Sequence, residues 1–295
     1  MERTQRQRDI RTAYLLLSPA VLLLLIVLAY PLGWEVWTSL TSFSPLQEGS
    51  TSFVGLANFH QQLTDVELWW TATVTVGYAI VTIVAKVALG LGFALLLSRP
   101  FRGRTLVFLA IFLPWAYPAS VSVIGWYWTL NPPIATAYAV FMGHLKYGVD
   151  GVLGGGAWAF VSVTLFNSWR GSSFIGVLLL AGINAIPPEL FEYALLDSKS
   201  PWQRFRAVTL PLLKPFLALG VFLSLTTACS DMVNVWTLTA GRITFPVIGT
   251  QAFWLAIHGG QFGPASALSL LLVPFLLGTL LLLFRLFDAA EREAA

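Results

Sequence analysis

A chain of 295 residues that is 57% apolar and 14% aromatic, with only 11% charged residues and a mean hydropathy of +0.75, excludes a water-dispersed globule and describes an integral membrane protein. Its net charge of +3 comes from bases scattered among short polar segments without interleaved aromatics, which excludes a nucleic-acid surface. The single cysteine, Cys229, excludes an intrachain disulfide and any Cys-based zinc spacing.

Apolar runs long enough to cross a hydrocarbon layer of roughly 30 Å predict an all-α polytopic membrane protein of about six transmembrane helices, a single transmembrane domain over residues 1–295. The first span is expected at about Tyr14–Leu32 and the second at about Thr71–Leu97. The basic turn RPFRGR then leads into a third at about Leu106–Leu130. A long loop follows, with the triple glycine Gly154 to Gly156 reading as a flexible turn. The fourth span is expected at about Ala157–Ile183, the fifth at about Leu212–Ser230 and the sixth at about Ala265–Phe287.

Arg3, Arg6, Arg8 and Arg11, then Arg99, Arg102 and Arg104, then Lys199, Arg204, Arg206 and Lys214, and finally Arg285 and Arg292 all fall on one side of these spans. The opposite loops carry only Lys146 and Arg242, so the positive-inside rule puts both termini in the cytoplasm. A cleaved signal peptide ending at Val27-Leu28-Ala29 is the competing reading of the first span; Pro31 and the interface-like GWEVWTSL speak against it. Trp69, Trp70 and the cluster Trp126-Tyr127-Trp128 read as anchors at the membrane interface.

Between the fourth and fifth spans the chain turns polar, with EYALLDSKSPWQRFRAVTLP from Glu192 to Pro211. Pro188 suits the first turn of a short helix that runs through Leu196, and Glu189 and Glu192 favour the positive end of its dipole. Asp197, Ser198 and Lys199 make a polar break. Ser200, Pro201 and Gln203 then spell a capping-box start for WQRFRAVTL, and Pro211 marks where the next span begins. From the residues alone this is either an amphipathic connector lying at the interface or a handle for a partner.

The order Glu192, Ala194, Asp197, then Trp202-Gln203-Arg204-Phe205 and Thr209-Leu210-Pro211, resembles the EAA loop of ABC importer permeases. YLLLSPAVLLLLIVLAYPLGWEVWTSLTSF, FVGLANF, FRGRTLVFLAIFLPWAYP, NSWRG, INAIPPEL and LTAG extend the likeness along nearly the whole chain. Together they resemble the larger-type membrane subunit of maltose-class carbohydrate importers. Two positions depart from that pattern: Tyr193 stands for the second small residue of the loop and Ser198 for its usual glycine, where serine would strain a positive-φ turn.

The resemblance implies the type I ABC importer permease fold in the cytoplasmic (inner) membrane of a bacterium or archaeon. It also implies four kinds of partner: a sister permease completing a heterodimer, two ATP-binding subunits, an extracytoplasmic solute-binding protein, and a sugar substrate. No Gly-Lys-Ser or Gly-Lys-Thr occurs in the sequence, so ATP and Mg are expected on the ATPase partner and no cofactor on this chain. Glu192 is expected to fix the loop by pairing with an ATPase base or a helix N-terminus. Ala194 would permit close approach, Phe205 would anchor the second helix, and Asp197 and Ser198 would shape the turn. Closure of the ATPases would then rock the spans between inward and outward access.

Arg170 lies about 13 residues, roughly 20 Å at 1.5 Å per residue, from the inner end of the fourth span, near the bilayer midplane, where an ionisable group is costly. It is either a substrate contact or half of a structural ion pair with Asp231 or a sister-subunit acid. Lys86 is expected to snorkel or pair near the cytoplasmic end of the second span. The resemblance places sugar-lining positions at Asn167, Arg170, Gly171 and Phe174, at Trp115 and Ala119 on the third span, and at Thr226 and Ser230 on the fifth. Amide and guanidinium groups suit sugar hydroxyls, and Trp115 and Phe174 either stack on a pyranose or simply pack between helices. Pro114 and Pro118 are expected to open a kink beside Trp115.

His60, His144 and His258 are far apart and suggest no metal site, and no catalytic cluster converges within the membrane, so the chain reads as a transport subunit rather than an enzyme. Two competing readings remain: the same architecture serving another solute, such as glycerol phosphate or a polyamine, and a stand-alone carrier or membrane enzyme.

Overall fold

The computed structural model describes residues 2–46, 51–130, 156–197, 200–239, 241 and 245–294. His144, Lys146, Gly154, Gly155, Ser198, Lys199 and Arg242 lie outside these residues. The described residues are helical apart from turns and one isolated antiparallel bridge between Thr41 and Phe53. They form two compact units, Met1–Asp65 with Trp254–Leu271, and Val66–Phe253 with Leu272–Ala295.

In the first unit α1 (Glu2–Leu24) passes through a π-helical turn, Leu25–Ala29, into α2 (Tyr30–Ser39). The first apolar helix is therefore longer than hydropathy alone suggests, Ile10–Ser39. A helix C-terminus leaves carbonyls without intrahelical partners. Here Asn58, on α3 (Ala57–Thr64), donates its amide to the carbonyls of Ser39 at 2.8 Å and Thr41 at 2.9 Å.

The second unit holds α4 (Val66–Leu97), α5 (Arg104–Ala116), α6 (Ala119–Leu130), α7 (Gly156–Asn184) and α8 (Pro188–Asp197). It continues with α9 (Pro201–Arg204), a π-helical turn Phe205–Thr209, α10 (Leu210–Cys229), α11 (Met232–Leu238) and α12 (Ile248–Phe253). The last helix, α13 (Phe262–Ala294), starts in the first unit and ends in the second.

Among the described residues four helices are long and apolar enough to cross a membrane: Ile10–Ser39, Val66–Leu97, Pro201–Cys229 and Phe262–Leu283. Counting each of two bent pairs as one span gives six. The first pair, Arg104–Ala116 with Ala119–Leu130, turns through 91°, so the expected third span is not one continuous helix. Pro118 cannot continue the ladder and pushes Tyr117 into extended geometry, with ψ 145°, whereas Pro114 is accommodated inside α5. The second pair, Ala157–Asn184 with Pro188–Leu196, turns through 75° at Pro187 and Pro188. The fifth span differs in the opposite sense: no break occurs at Pro211, because the wider π turn stands just before it, where the ring would crowd an ordinary helical turn.

The centre of the second unit is the pairing of α4 with α7. The buried residues of α4 include Thr71, Thr75, Tyr78, Thr82, Lys86, Gly90, Ala94 and Leu97, spaced three or four apart on one helical face. Lipid supplies little hydrophobic drive between helices, so close approach of small residues has to hold them. A Cβ on Gly90 would stand 2.8 Å from the Ile175 side chain and 2.9 Å from the Gly176 backbone nitrogen, which fixes this crossing. One apolar cluster gathers Tyr78, Val123, Val163, Phe166, Val235 and Phe245, and a second gathers Ala94, Leu97, Ile175, Leu179 and Leu213. Along both α4 and α7 a polar level separates them, carrying Lys86, Asn167 and Arg170.

Candidate functional site

That polar level opens into a cavity of about 440 Å³. Helix α4 contributes Lys86; α7 contributes Asn167, Arg170, Gly171 and Phe174; α10 contributes Leu223, Ser224 and Thr227; and the break between α10 and α11 contributes Ser230 to Asn234. Trp115, from the end of α5, completes the wall and stacks on Phe174 with ring centroids 5.5 Å apart at 27°.

Asp231 organises the cavity floor. It is 7% exposed, and its Oδ2 accepts from the Tyr78 hydroxyl at 2.6 Å and from the Asn167 amide at 2.5 Å. Oδ1 takes the backbone N–H of Asn234 at 3.4 Å, so the same carboxylate caps α11. One side chain thus ties α4, α7 and the α10–α11 break together. Burying a carboxylate is tolerable when it is hydrogen-bonded in this way and has cations nearby.

Arg170 makes no use of that carboxylate for its hydrogen bonds. Its guanidinium Nη2 donates to the carbonyls of Tyr117 at 3.0 Å and Trp115 at 3.5 Å, which the break at Pro118 leaves without helical partners. The expected alternative of a pair with Asp231 is replaced by this cap on a broken span. The arginine's Nε is buried without a partner. Of the two alternatives for Lys86, its burial excludes snorkelling and leaves pairing, with Asp231 as the nearby charge: it is 3% exposed and lies against Gly171, where a Cβ would come within 2.4 Å of its Cε. It is a cavity residue and does not snorkel.

Of the eight positions that the resemblance assigns to the sugar path, six line this one cavity: Trp115, Asn167, Arg170, Gly171, Phe174 and Ser230. Ala119 and Thr226 do not; Thr226 turns its hydroxyl back to the Phe222 carbonyl at 2.9 Å, and its neighbour Thr227 faces the cavity instead. The sequence reading missed Tyr78 and Asp231 as the cavity's organisers. Lys86 was within reach of the depth arithmetic used for Arg170, since 11 residues from Leu97 is roughly 16 Å.

The loop residues form a separate place in the same unit. Helix α8 begins at Pro188 and leaves Glu192, Tyr193, Leu195 and Leu196 exposed, with Ala194 buried within the chain itself. Ser200 takes the N-cap of α9 with extended backbone and Pro201 follows at the first position, although no side-chain cap bond forms there. Phe205 is half-buried and stacks on Trp202, centroids 5.5 Å apart at 24°. Asp197 ends α8, and Ser198 lies outside the described residues.

No family model matches the chain. It is 32% identical over 276 residues, 90% of each chain, to the trehalose/maltose transport system permease protein MalF of Thermococcus litoralis. It is 30% identical over 286 residues to the trehalose transport system permease protein SugA of Mycobacterium tuberculosis, covering 97% of this chain and 91% of that protein. The sulfoquinovosyl glycerol transport system permease protein SmoG of Agrobacterium fabrum is 31% identical over 248 residues, covering 83% and 79%. Among solved structures, a bacterial alginate ABC transporter chain superposes with a TM-score of 0.75 at 20% identity over 95% of this chain and 94% of that one.

Proposed function

The chain belongs to the membrane-spanning permease subunits of carbohydrate-uptake ABC importers, and from that premise we propose that it forms one half of a path for a di- or oligosaccharide, holding the sugar at the cavity between α4, α7 and α10. The observation that carries this reading is the cavity itself, where amide, hydroxyl and cationic groups and the Trp115–Phe174 pair line one space at a depth where polar groups are costly. Hydroxyl-rich faces of a pyranose would meet Asn167 and Ser230, and its apolar face would meet the rings.

A sister permease supplies the other half, and a solute-binding protein delivers the sugar from outside. ATP and Mg are held by two ATP-binding subunits, with both termini of this chain on their side of the membrane. Their closure reaches the spans through α8, whose exposed Glu192, Tyr193 and Leu196 suit a socket on such a subunit. Because α8 is joined to α7 by a two-proline bend, a push on α8 is transmitted to the helix that carries Asn167 and Arg170. The supporting experiment is reconstitution: the chain should co-purify with an ATPase and a sister permease, and its proteoliposomes should take up sugar when ATP and binding protein are present. A chain that purifies without an ATPase and takes up sugar unaided would overturn the reading.

Of the other solutes considered from the sequence, a polyamine is disfavoured by the cavity's charge, because Lys86 and Arg170 face it with only Asp231 in opposition.

A further inference from the structure

We propose that the sugar carried through this cavity bears an anionic group, a carboxylate, sulfonate or phosphate ester, received by Lys86 and Arg170 while its ring lies on Trp115 and Phe174. The inference rests on the reading of the cavity as the sugar site and goes further in naming the class of sugar. Two cations and one carboxylate line the cavity. The carboxylate is already engaged: Asp231 accepts from Tyr78, Asn167 and the Asn234 backbone. Its single negative charge lies near both cations and leaves one positive charge over, and it accepts no hydrogen bond from either. Lys86 is 3% exposed, and no described residue accepts a hydrogen bond from its ammonium. Arg170 spends Nη2 on two carbonyls, which neutralise no charge, and its Nε is buried without a partner.

The cavity therefore carries surplus positive charge and surplus N–H donors at membrane depth, a costly state that an acceptor-only anion would relieve. A neutral sugar could accept hydrogen bonds from these groups but would leave the surplus charge unbalanced. Lysine and arginine side by side suit an oxyanion, as a point charge and a planar donor, and their bonds to a charged acceptor are about twice as strong as neutral ones. Gly171 belongs to the same device. By lacking a Cβ it lets the Lys86 stem cross α7 toward the cavity; an alanine there would displace it.

The test is equilibrium binding to the purified permease–ATPase complex of trehalose, trehalose 6-phosphate, sulfoquinovosyl glycerol and an alginate disaccharide, with wild type, Lys86→Met, Lys86→Arg and Asn167→Ala. At least one of the anionic probes should bind about tenfold or more tightly than trehalose, and which one identifies the anion. Lys86→Met should collapse that ratio and Lys86→Arg should keep most of it, which separates loss of charge from misfolding. Trehalose binding as tightly as every anionic probe, or a ratio unmoved in Lys86→Met, would overturn the inference. Asn167→Ala distinguishes this from failure of the site itself: it should weaken all bound probes alike, and if it weakens none, the cavity is not where sugar is held.

Discussion

Around the cavity the buried groups are polar, with Lys86 3%, Asp231 7% and Asn167 7% exposed; around α8 the exposed groups are apolar, with Tyr193 64%, Leu196 85% and Trp202 65% exposed. Each region inverts the ordinary preference of a folded chain in water, the first because polar groups inside a membrane must face a partner or a cargo, the second because, on the proposed reading, its apolar face is what an ATP-binding subunit would cover. They also differ in how they are made. The cavity depends on residues far apart in sequence, Tyr78 meeting Asp231 across 153 positions and Asn167 meeting it across 64. The α8 elbow is local, fixed by Pro187, Pro188 and Pro201 and by the Trp202–Phe205 stack. Damage to the first region should therefore cost both folding and transport, whereas damage to the second should cost coupling alone.

The sharpest way to break that contrast is Glu192→Lys. Sugar-stimulated ATP hydrolysis should disappear while thermal unfolding of the complex shifts by no more than about 0.5 kcal/mol, as for other exposed substitutions; normal stimulation would remove α8 from the drive. Asp231→Ala comes next. It strips the acceptor from Tyr78 and Asn167 and leaves Lys86 and Arg170 without a counter-charge, so the melting transition should fall by about 3 kcal/mol, with uptake lost as well; an unchanged melt would mean that the carboxylate ties nothing together. For Asn167→Ala, uptake at limiting sugar should drop while assembly with the ATPase persists, and unchanged uptake would take the amide out of the path. The smallest effect belongs to Tyr78→Phe, which deletes one interhelical hydrogen bond worth about 0.6 kcal/mol in membrane proteins. Thermal melts of the paired variants Tyr78→Phe and Asp231→Asn should show coupling between them, and strict additivity would dissolve the network.

The spans and the elbow were legible because both write themselves in contiguous residues: apolar runs for the spans, and Pro188 through Leu196 for α8. Six of the resemblance's lining positions share the cavity because one helix, α7, carries four of them at spacings of one, three and four. The rest was hidden for physical reasons. The kink that Pro114 and Pro118 announce beside Trp115 is there, but its size of 91° leaves no hydropathy dip in a run as uniformly apolar as Leu106–Leu130, and the sequence has no local rule for which proline breaks the helix. Conversely Pro211 looked like a boundary, yet a π turn absorbed it. Asp231 could not be placed from sequence, since its role is set by Tyr78 and Asn167 on other helices, and the same geometry turned Arg170 toward freed carbonyls.

The most direct test of the account is sugar uptake by liposomes containing this chain and its sister permease, measured with and without the ATP-binding subunits in the presence of ATP and binding protein. The account predicts no uptake above background until the ATP-binding subunits are added, and full uptake once they are. Accumulation by the two permeases alone would contradict it.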